Sequence, residues 1–213
     1  MSTHDQIAAA CQQLGVEPTT SQLTALGDFL ALLQRWNATY NLTAVRDPRA
    51  MATHHLADCL AVLPALQARC RQGRVLDVGS GGGLPGVVIA IMQPALTVTC
   101  VDTVGKKAAF IRQVAGQLKL PNLQAVHARV QDLNLPPFDL ITSRAFAALA
   151  DFTRWTTAHL APGGLWMAMK GKLPQEEMAA LPPDIEVFHV EPLNVPGLDA
   201  ERCLVWMRRR GLP

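Results

Sequence analysis

Near the middle of the chain lies the sequence Val75-Leu76-Asp77-Val78-Gly79-Ser80-Gly81-Gly82-Gly83-Leu84-Pro85-Gly86. Its first four residues are typical of a buried strand, and residues 86–92 are typical of a helix. The glycines between them let the backbone turn sharply and approach a ligand closely, because they lack a Cβ. Open α/β sheets bind ligands at strand-to-helix turns of this kind.

Strands and helices continue to alternate on the C-terminal side of this turn. We predict strands at 98–101, 123–126, 139–142 and 165–169, and helices at 106–118 and 149–159. This alternation indicates βαβ units and a parallel sheet with helices on both faces. Two further strands, at 185–190 and 203–207, are predicted to form a C-terminal antiparallel hairpin. The predicted fold class is therefore α/β, with a mostly parallel, Rossmann-like sheet of seven strands over residues 71–213.

The first 70 residues follow a helical pattern instead. Apolar residues within 22–40 recur every three or four positions, as on one face of a helix. A shorter helix is predicted at 5–14, and a third at about 48–66, for which Asp47 is a suitable N-cap. We predict that residues 1–70 form a small helical extension of the sheet domain.

Composition shows which broad classes of protein this chain can belong to. The chain has 213 residues, of which 49% are hydrophobic and 17% charged, with a net charge of +2. These values predict a folded protein and exclude one that is strongly electropositive overall, although a local basic patch is compatible with them. No apolar run reaches the ~18 residues of a transmembrane helix, and the first residues lack the pattern of a signal peptide. The five cysteines are scattered and fit no zinc spacing. We expect a cytoplasmic monomer with no membrane partner and no bound metal.

The glycine turn has two functional interpretations. Gly81, Gly83 and Gly86 fit G-x-G-x-x-G, the dinucleotide pattern. Gly79, Gly81 and Gly83 fit G-x-G-x-G, the first motif of class I S-adenosylmethionine (SAM) methyltransferases. The carboxylate of Asp77 favours SAM, because it would repel a pyrophosphate and attract an ammonium and a sulfonium.

Other residues at the ends of predicted strands support a nucleoside site. Asp102, at the end of the second strand, can accept hydrogen bonds from ribose hydroxyls. NAD and SAM both carry a ribose, so this residue does not choose between them. Arg144, after the fourth strand, would project into the cleft, and Phe146 would offer a stacking face to a base.

No general base or covalent nucleophile is found near this cleft. Cys59 and Cys100 fall on a helix and inside a buried strand, and the sequence Leu-Pro-Pro-Phe at 135–138 lacks the oxygen that would hold an amine. His54 and Asp58 offer two metal ligands without a third. Such a site suits a target atom that is already nucleophilic, and guanine N7 fits because its lone pair carries no proton. Other substrates are equally compatible with the absence of a base.

Several further motifs follow one another along the chain. They are Arg35-Trp36-Asn37, Asn41-Leu42-Thr43-Ala44, His55 with Asp58, residues 77–86, residues 102–107, Phe138-Asp139, residues 143–147 and Lys170-Gly171. Together these motifs resemble the bacterial RsmG (GidB) family of 16S rRNA guanine-N7 methyltransferases. The resemblance implies a class I SAM-methyltransferase fold with a helical extension. It also implies methylation of one guanine in the decoding-region loop, in 16S rRNA, the small subunit or an assembly precursor.

The resemblance implies roles for individual residues. Gly79 and Leu84 would line the SAM site, Val130 and Gln131 would flank the adenine, and Arg144 would complete the pocket. The predicted cofactor-binding set is Asp77, Gly79, Gly81, Gly83, Leu84, Asp102, Val130, Gln131 and Arg144, and the predicted catalytic residue is Arg144. The sequence departs from the family at Gly82, at Cys59, where a Ser is common, and at His54, where an Arg is common.

The sequence also offers candidate contacts to RNA phosphates, and it leaves two alternative functions open. The candidate phosphate contacts are Arg46, Arg49, Lys106, Lys107, Lys170, Lys172 and Arg208-Arg209-Arg210. The alternatives are a SAM-dependent methyltransferase of a non-RNA substrate and an NAD-type dinucleotide-binding protein.

Overall fold

The structure, a computed structural model, describes residues 2–211, apart from the side chains of Pro48 and Arg49. The helices are α1 (Thr3–Gln13), α2 (Thr20–Tyr40), α3 (Pro48–Met51), α4 (Asp58–Leu60), α5 (Leu63–Arg69), α6 (Gly86–Met92), α7 (Gly105–Gln117), α8 (Leu149–Thr156) and α9 (Gln175–Ala179). Helices α1 and α2 both begin with a capping box, and Ala50 N–H donates to Asp47, the predicted cap of the third helical segment. The sequence did not predict α9.

Between α3 and α4 the chain forms a π-helical segment, Ala52–Ala57. The backbone stays in the right-handed helical region on both sides, at Met51 and at Asp58, so 48–60 is one helix with a locally widened turn. Widened turns of this kind are rare and often occur at functional sites. Sequence patterning predicted the helix but not its π-helical part.

The strands are β1 (Gly73–Val78), β2 (Leu96–Asp102), β3 (Leu123–His127), β4 (Phe138–Arg144), β5 (Leu160–Lys170), β6 (Ile185–Pro192) and β7 (Cys203–Arg209). They form one sheet in the order β3-β2-β1-β4-β5-β7-β6. The first five strands are parallel, and β7 lies between β5 and β6, antiparallel to both. The predicted α/β class with a C-terminal antiparallel pair is therefore confirmed.

The strand order reverses at β1, which lies between β2 and β4. Crossovers to the two sides leave a crevice at the carboxyl ends of β1 and β4, which is where α/β sheets bind ligands. The glycine turn follows β1 at this edge, and Arg144 ends β4 at the same edge. The topology therefore brings the two most informative sequence motifs together.

Helix α2 packs directly on helices that flank the sheet. Phe29 and Trp36 of α2 contact Phe110 of α7, with ring centroids 6.4 Å and 5.4 Å apart. Gln22 donates from its amide to the carbonyls of Ile91 and Met92, at the end of α6. One buried apolar cluster thus includes residues from both sides of position 70. Among the described residues, no helix is both long and apolar enough to cross a membrane.

Replacement of Phe110 tests whether the helical extension and the sheet unfold together. The side chain is fully buried between α2 and the sheet, so Phe110→Ala should lower the free energy of unfolding by about 3–5 kcal/mol. Leu173→Ala, at a side chain that is 50% exposed, is the control and should change it by no more than about 0.5 kcal/mol. Urea unfolding followed by far-UV and near-UV circular dichroism should give one shared transition in both variants; two separate transitions would contradict a shared core.

Candidate active site

The turn after β1 requires glycine at three positions. Gly79, Gly81 and Gly83 have φ of +67°, +56° and +83°, in the left-handed region that side chains disfavour. A Cβ on Gly79 would lie 2.4 Å from the ring of Phe146, and one on Gly83 would lie 2.4 Å from Val87. A Cβ on Gly81 would meet nothing closer than a backbone oxygen at 3.9 Å. Gly81 therefore borders open space, while the other two glycines are also needed for packing.

The same turn is held from outside by Asp102. Its carboxylate accepts hydrogen bonds from Gly81 N–H and from Val104 N–H, both at 2.9 Å, and lies 3.9 Å from the Lys107 ammonium. One carboxylate thus joins the glycine turn to the turn after β2. Carboxylate oxygens have several lone pairs, so these contacts leave capacity for the ribose hydroxyls predicted at this position.

Asp77 binds the end of the glycine turn that leads into α6. Its Oδ2 accepts a hydrogen bond from Gly86 N–H at 2.9 Å, the side chain is fully buried, and Oδ1 has no hydrogen-bond partner among the described residues. Burial raises the pKa of the Asp77 carboxyl to about 7, while Gly86 N–H and the charge of Arg144 act in the opposite direction. An unpaired, buried carboxylate oxygen beneath the turn fits a ligand that carries positive charge.

Two cavities open on either side of Gly79 and Ala145, at the reversal of strand order. The first, of about 530 Å³, is lined by Val78, Gly79, Val101, Asp102, Thr103, Val104, Lys107, Ala128, Arg129, Val130, Gln131, Ala145, Phe146 and Trp155. The second, of about 510 Å³, is lined by Leu42, Thr43, Val45, His54, His55, Asp58, Gly79, Ser80, Gly81, Gly82, Leu84, Arg144, Ala145, Met169, Lys170, Gly171 and Arg202. Of the predicted site residues, Asp77 and Gly83 line neither cavity. Asp77 binds Gly86 N–H beneath the turn, and Gly83 packs against Val87 within it.

Arg144 is held by the helical extension. Its Nη1 lies 3.2 Å from Asp58 Oδ2 and 3.2 Å from the carbonyl oxygen of His54. Both Nη1 and Nη2 lie 3.4 Å from His55 Nδ1. Asp58 also accepts from Arg202 Nε at 3.1 Å, so one buried carboxylate is shared by two arginines. These contacts fix the guanidinium at the rim of the second cavity.

No sequence pattern indicated that Asp58, Arg202 and Arg144 would meet. From the sequence, His54 and Asp58 form an incomplete set of metal ligands, and His55 and Asp58 form part of a family motif. Arg202 lies 144 residues from Asp58 along the chain, so no local pattern could pair them. In the described part of the chain, no group of three or more His, Cys, Asp or Glu side chains is arranged to hold a metal ion.

Phe146 lies on the wall of the first cavity, on the side away from Arg144. Its ring packs edge-on against Trp155 and Phe152, with centroids 5.8 Å and 6.5 Å away. Ala145 turns the chain between the two cavities with φ of 53°, a conformation that non-glycine residues rarely adopt. Phe146 therefore lines the first cavity, and its predicted stacking on a base stays a prediction.

The candidate RNA contacts differ in what they already bind. Lys170 donates to the Ala147 carbonyl and to Glu177, at 3.0 Å and 2.7 Å, and Arg46 donates to Asn41. Lys106 and Lys172 are exposed, while the side chain of Arg49 lies outside the described residues.

The basic tail 208–210, predicted to contact RNA, lies at the end of the sheet away from this site, and its contact with RNA stays a prediction. Because β7 runs antiparallel to β5, Cys203 lies beside Lys170 at the cavity edge and Arg208 and Arg209 lie at the opposite edge of the sheet. There, Arg208 pairs with Glu186 and Arg209 donates to Thr157. These arginines stabilise the far edge of the sheet.

The chain matches one protein family over most of its length. The family described as rRNA small subunit methyltransferase G matches residues 22–205. The protein of that name from Acidovorax ebreus is 61% identical over 205 residues, which cover 92% of this chain and 90% of that one. Its namesake from Methylibium petroleiphilum is 60% identical over 202 residues, covering 94% and 91%.

One solved structure with the same fold is the 1,6-didemethyltoxoflavin-N1-methyltransferase of Burkholderia thailandensis, with bound 1,6-didemethyltoxoflavin and S-adenosylhomocysteine. It superposes with a TM-score of 0.58 at 17% identity, and the match covers 86% of this chain and 89% of that one. At this identity the likeness concerns the fold alone.

The buried charge of Asp77 predicts a pH-dependent effect of its removal. A raised carboxyl pKa means that the folded protein binds the proton more tightly than the unfolded chain, so this group's contribution to stability is lost as pH rises through about 7. The unfolding free energy of Asp77→Asn, relative to the original protein, should therefore rise by at least about 1 kcal/mol between pH 5 and pH 8. Denaturant titrations at both pH values measure this. Asp199→Asn, at an exposed carboxylate, is the control. If the change in unfolding free energy caused by Asp77→Asn were independent of pH, the raised pKa of Asp77 would be refuted.

Proposed function

Because the chain belongs to the rRNA small subunit methyltransferase G family, we propose that it transfers the SAM methyl group to N7 of one guanine in the decoding-region loop of 16S rRNA. That it is a SAM-dependent rRNA methyltransferase follows from the family and from relatives at about 60% identity. The atom and the nucleotide are the proposed part. The nucleotide rests on the family. N7 is supported by the second cavity, where none of the described side chains that line it offers a free base to the substrate.

Each candidate base in the second cavity is already engaged or lies at its rim. The Asp58 carboxylate is bound by Arg144 and Arg202, and the ring nitrogens of His55 face Arg144 and Thr43. His54 is exposed. A site that cannot remove a proton suits a ring nitrogen with a free lone pair, for which alignment with the S–CH₃ bond is the main requirement.

The first cavity provides the groups for the nucleoside half of SAM. Asp102 would accept hydrogen bonds from the ribose hydroxyls, and Val130 and Gln131 would flank the adenine. Gly79 and Leu84 would line the path toward the second cavity, where the methionine part would lie beside Arg144. When bound, SAM supplies an electrophilic methyl group on a sulfonium centre. The negative charge of Asp77 below the turn favours that cation.

The hydrogen bonds of the turn argue against the dinucleotide alternative. Anion-binding glycine loops present free N–H groups to phosphates. Here the N–H groups of Gly79 and Ser80 donate to Val101 O, that of Gly81 to Asp102, and those of Gly83 and Leu84 to Ser80 O. Among the described residues of the turn, Gly82 N–H alone has no partner, which leaves too few donors for a pyrophosphate.

The helical extension 1–70 would complete the acceptor side of the site, and residues 71–213 would bind the cofactor. We propose that the enzyme acts as a cytoplasmic monomer on 16S rRNA in the small subunit or an assembly precursor. Among the described residues, the large apolar side chains that are exposed are Tyr40 and Leu173, which form no extended patch for self-association. The five buried, unpaired cysteines fit a reducing compartment.

Methyl transfer to small subunits tests the proposal directly. Purified protein is incubated with methyl-labelled SAM and small subunits from cells that lack the enzyme, and the rRNA is digested and mapped by mass spectrometry. We expect one 7-methylguanosine in the decoding-region loop. A methyl group on another atom, or on another RNA region, would refute the assignment. Naked 16S rRNA and precursor particles are run alongside to identify the preferred substrate.

Gly79→Ala should weaken SAM binding. The added Cβ would clash with Phe146 between the two cavities, at a φ that alanine disfavours, so we expect a loss in affinity of at least about tenfold, equal to 1.4 kcal/mol. Gly116→Ala, on the exposed face of α7 with nothing within 4 Å, is the matched control and should bind SAM normally. Isothermal calorimetry measures both, and equal affinities would remove Gly79 from the cofactor site.

If the reaction needs no general base, the enzyme should tolerate replacement of His54. His54→Arg introduces the residue common in the family, and we expect turnover within about threefold of the original, whereas loss of a general base costs about 100-fold or more. Initial rates at saturating SAM distinguish these results. A loss of the larger size would identify His54 as a proton acceptor and contradict N7 as the target.

A further inference from the structure

His55 lies between the helical extension and Arg144. It is buried within the π-helical segment, with its Nε2 2.6 Å from Thr43 Oγ1 and its Nδ1 3.4 Å from both Nη atoms of Arg144. The imidazole thus connects the Asn-Leu-Thr turn to the arginine at the end of β4. Neither the family motif that contains His55 and Asp58 nor the hypothesis of a metal site at His54 and Asp58 explains why the ring of His55 lies between Thr43 and Arg144.

The partners of the ring determine its protonation. A guanidinium can only donate hydrogen bonds, so Nδ1 must be the acceptor, and the proton must lie on Nε2 and be donated to Thr43. Burial and, secondly, the charge of Arg144 lower the pKa of His55 to about 4, which keeps the ring neutral at physiological pH. Geometry and charge therefore agree on one tautomer.

Thr43 is itself held in the position in which its hydroxyl accepts the hydrogen bond from His55 Nε2. Its N–H donates to Asn37 Oδ1 at 2.8 Å, and its hydroxyl accepts from Val45 N–H at 3.2 Å. Asn37 is buried in α2 and also donates to the Val45 carbonyl at 3.1 Å. The turn that carries Thr43 is thus fixed to a long helix, and its hydroxyl can orient the ring of His55.

The two amino groups of Arg144 have different supports. Nη1 contacts Asp58, the His54 carbonyl and His55, whereas the contact that the structure gives to Nη2 is with His55 Nδ1. Asp58 therefore supplies the charge, and His55 limits rotation of the guanidinium plane. A displacement of about 1 Å in such a group can cost 100-fold in rate.

We propose that His55, oriented by Thr43, is a positioning residue that holds Arg144 in the orientation required for methyl transfer. This inference rests on the proposed function, since it assigns Arg144 to that reaction. His55 takes no part in proton transfer to or from the substrate. It acts as a fixed, neutral hydrogen-bond acceptor.

Two substitutions separate the two hydrogen bonds of the ring. In His55→Asn, the side-chain oxygen can take the place of Nδ1 and accept from Arg144; in His55→Gln, the amide reaches the place of Nε2 and retains only the contact with Thr43. His55→Ala removes both. His159→Asn, at a buried histidine before β5 on the opposite edge of the sheet, is the control for loss of a buried imidazole.

The kinetics of methyl transfer to small ribosomal subunits should distinguish these variants. His55→Ala and His55→Gln should lower kcat by about 10- to 100-fold, with the Kd for SAM changed by less than about threefold, because the arginine is displaced and the cofactor site is intact. His55→Asn should recover most of the rate, and Thr43→Ser should act like the original, whereas Thr43→Val should resemble a mild form of His55→Ala. Equal losses in His55→Asn and His55→Ala, or no loss in either, would overturn the proposal. Thermal unfolding of each variant shows whether a loss merely follows stability.

An NMR measurement without substrate separates this inference from the proposed function. Hindered rotation of the Arg144 guanidinium should give two distinct Nη signals in the original protein and in His55→Asn. In His55→Ala, loss of the Nη2 contact should speed the exchange between the two signals, although Asp58 and the His54 carbonyl still hold Nη1. Arg144→Lys assigns the resonance. An unchanged exchange rate in His55→Ala would overturn the positioning role even if the enzyme methylates rRNA. An original protein that shows the expected signals but methylates no rRNA would refute the proposed function and leave the contact established.

Discussion

Two buried carboxylates hold the glycine turn, and the rest of the site depends on them. Asp77 accepts from Gly86 N–H at the start of α6, and Asp102 accepts from Gly81 N–H in the middle of the turn. These contacts occupy the amides that an anion-binding loop would leave free, and they place negative charge beneath and beside the turn. The same local sequence that could bind a dinucleotide is thereby adapted to a cationic ligand. A buried carboxylate is costly unless positive charge lies nearby, and Arg144 supplies part of that compensation.

Arg144 in turn makes the helical extension part of the candidate active site. The arginine ends a strand of the sheet, but its partners Asp58 and His55 come from the helix that follows the Asn-Leu-Thr turn. Because Asp58 is shared with Arg202, which precedes the last strand, three distant parts of the chain meet at one carboxylate. Removing one partner of a buried charge network leaves the others uncompensated. The division into an extension and a cofactor-binding part therefore describes the order of elements along the chain better than it describes the site.

The sequence predicted those features that are determined by local patterns. Strand-helix alternation and apolar periodicity identified the seven strands and most helices to within a few residues, and the glycine spacing with Asp77 identified the cofactor. Sequence patterns did not predict the π-helical segment or α9, because one is a local change of hydrogen bonding within a helix and the other is a single short turn. The shared carboxylate was missed for another reason: partners such as Asp58 and Arg202 meet only in the folded chain. The position of the basic tail, at the end of the sheet away from the cavities, was also not predictable, because charge alone does not indicate at which end of a sheet a strand finishes.

The π-helical segment also sets how the site tolerates changes in chain length. A widened turn holds one residue more than an α-helical turn would in the same place. Loss of a single codon between Ala52 and Ala57 would restore an ordinary helix whose two flanks keep nearly the same relative rotation. Loss of one codon from an ordinary α-helix instead rotates one flank by about 100°. Such a deletion would therefore spare the helix and the contact of Asp58 with Arg144, while changing how His55, which lies in the widened turn, meets Arg144.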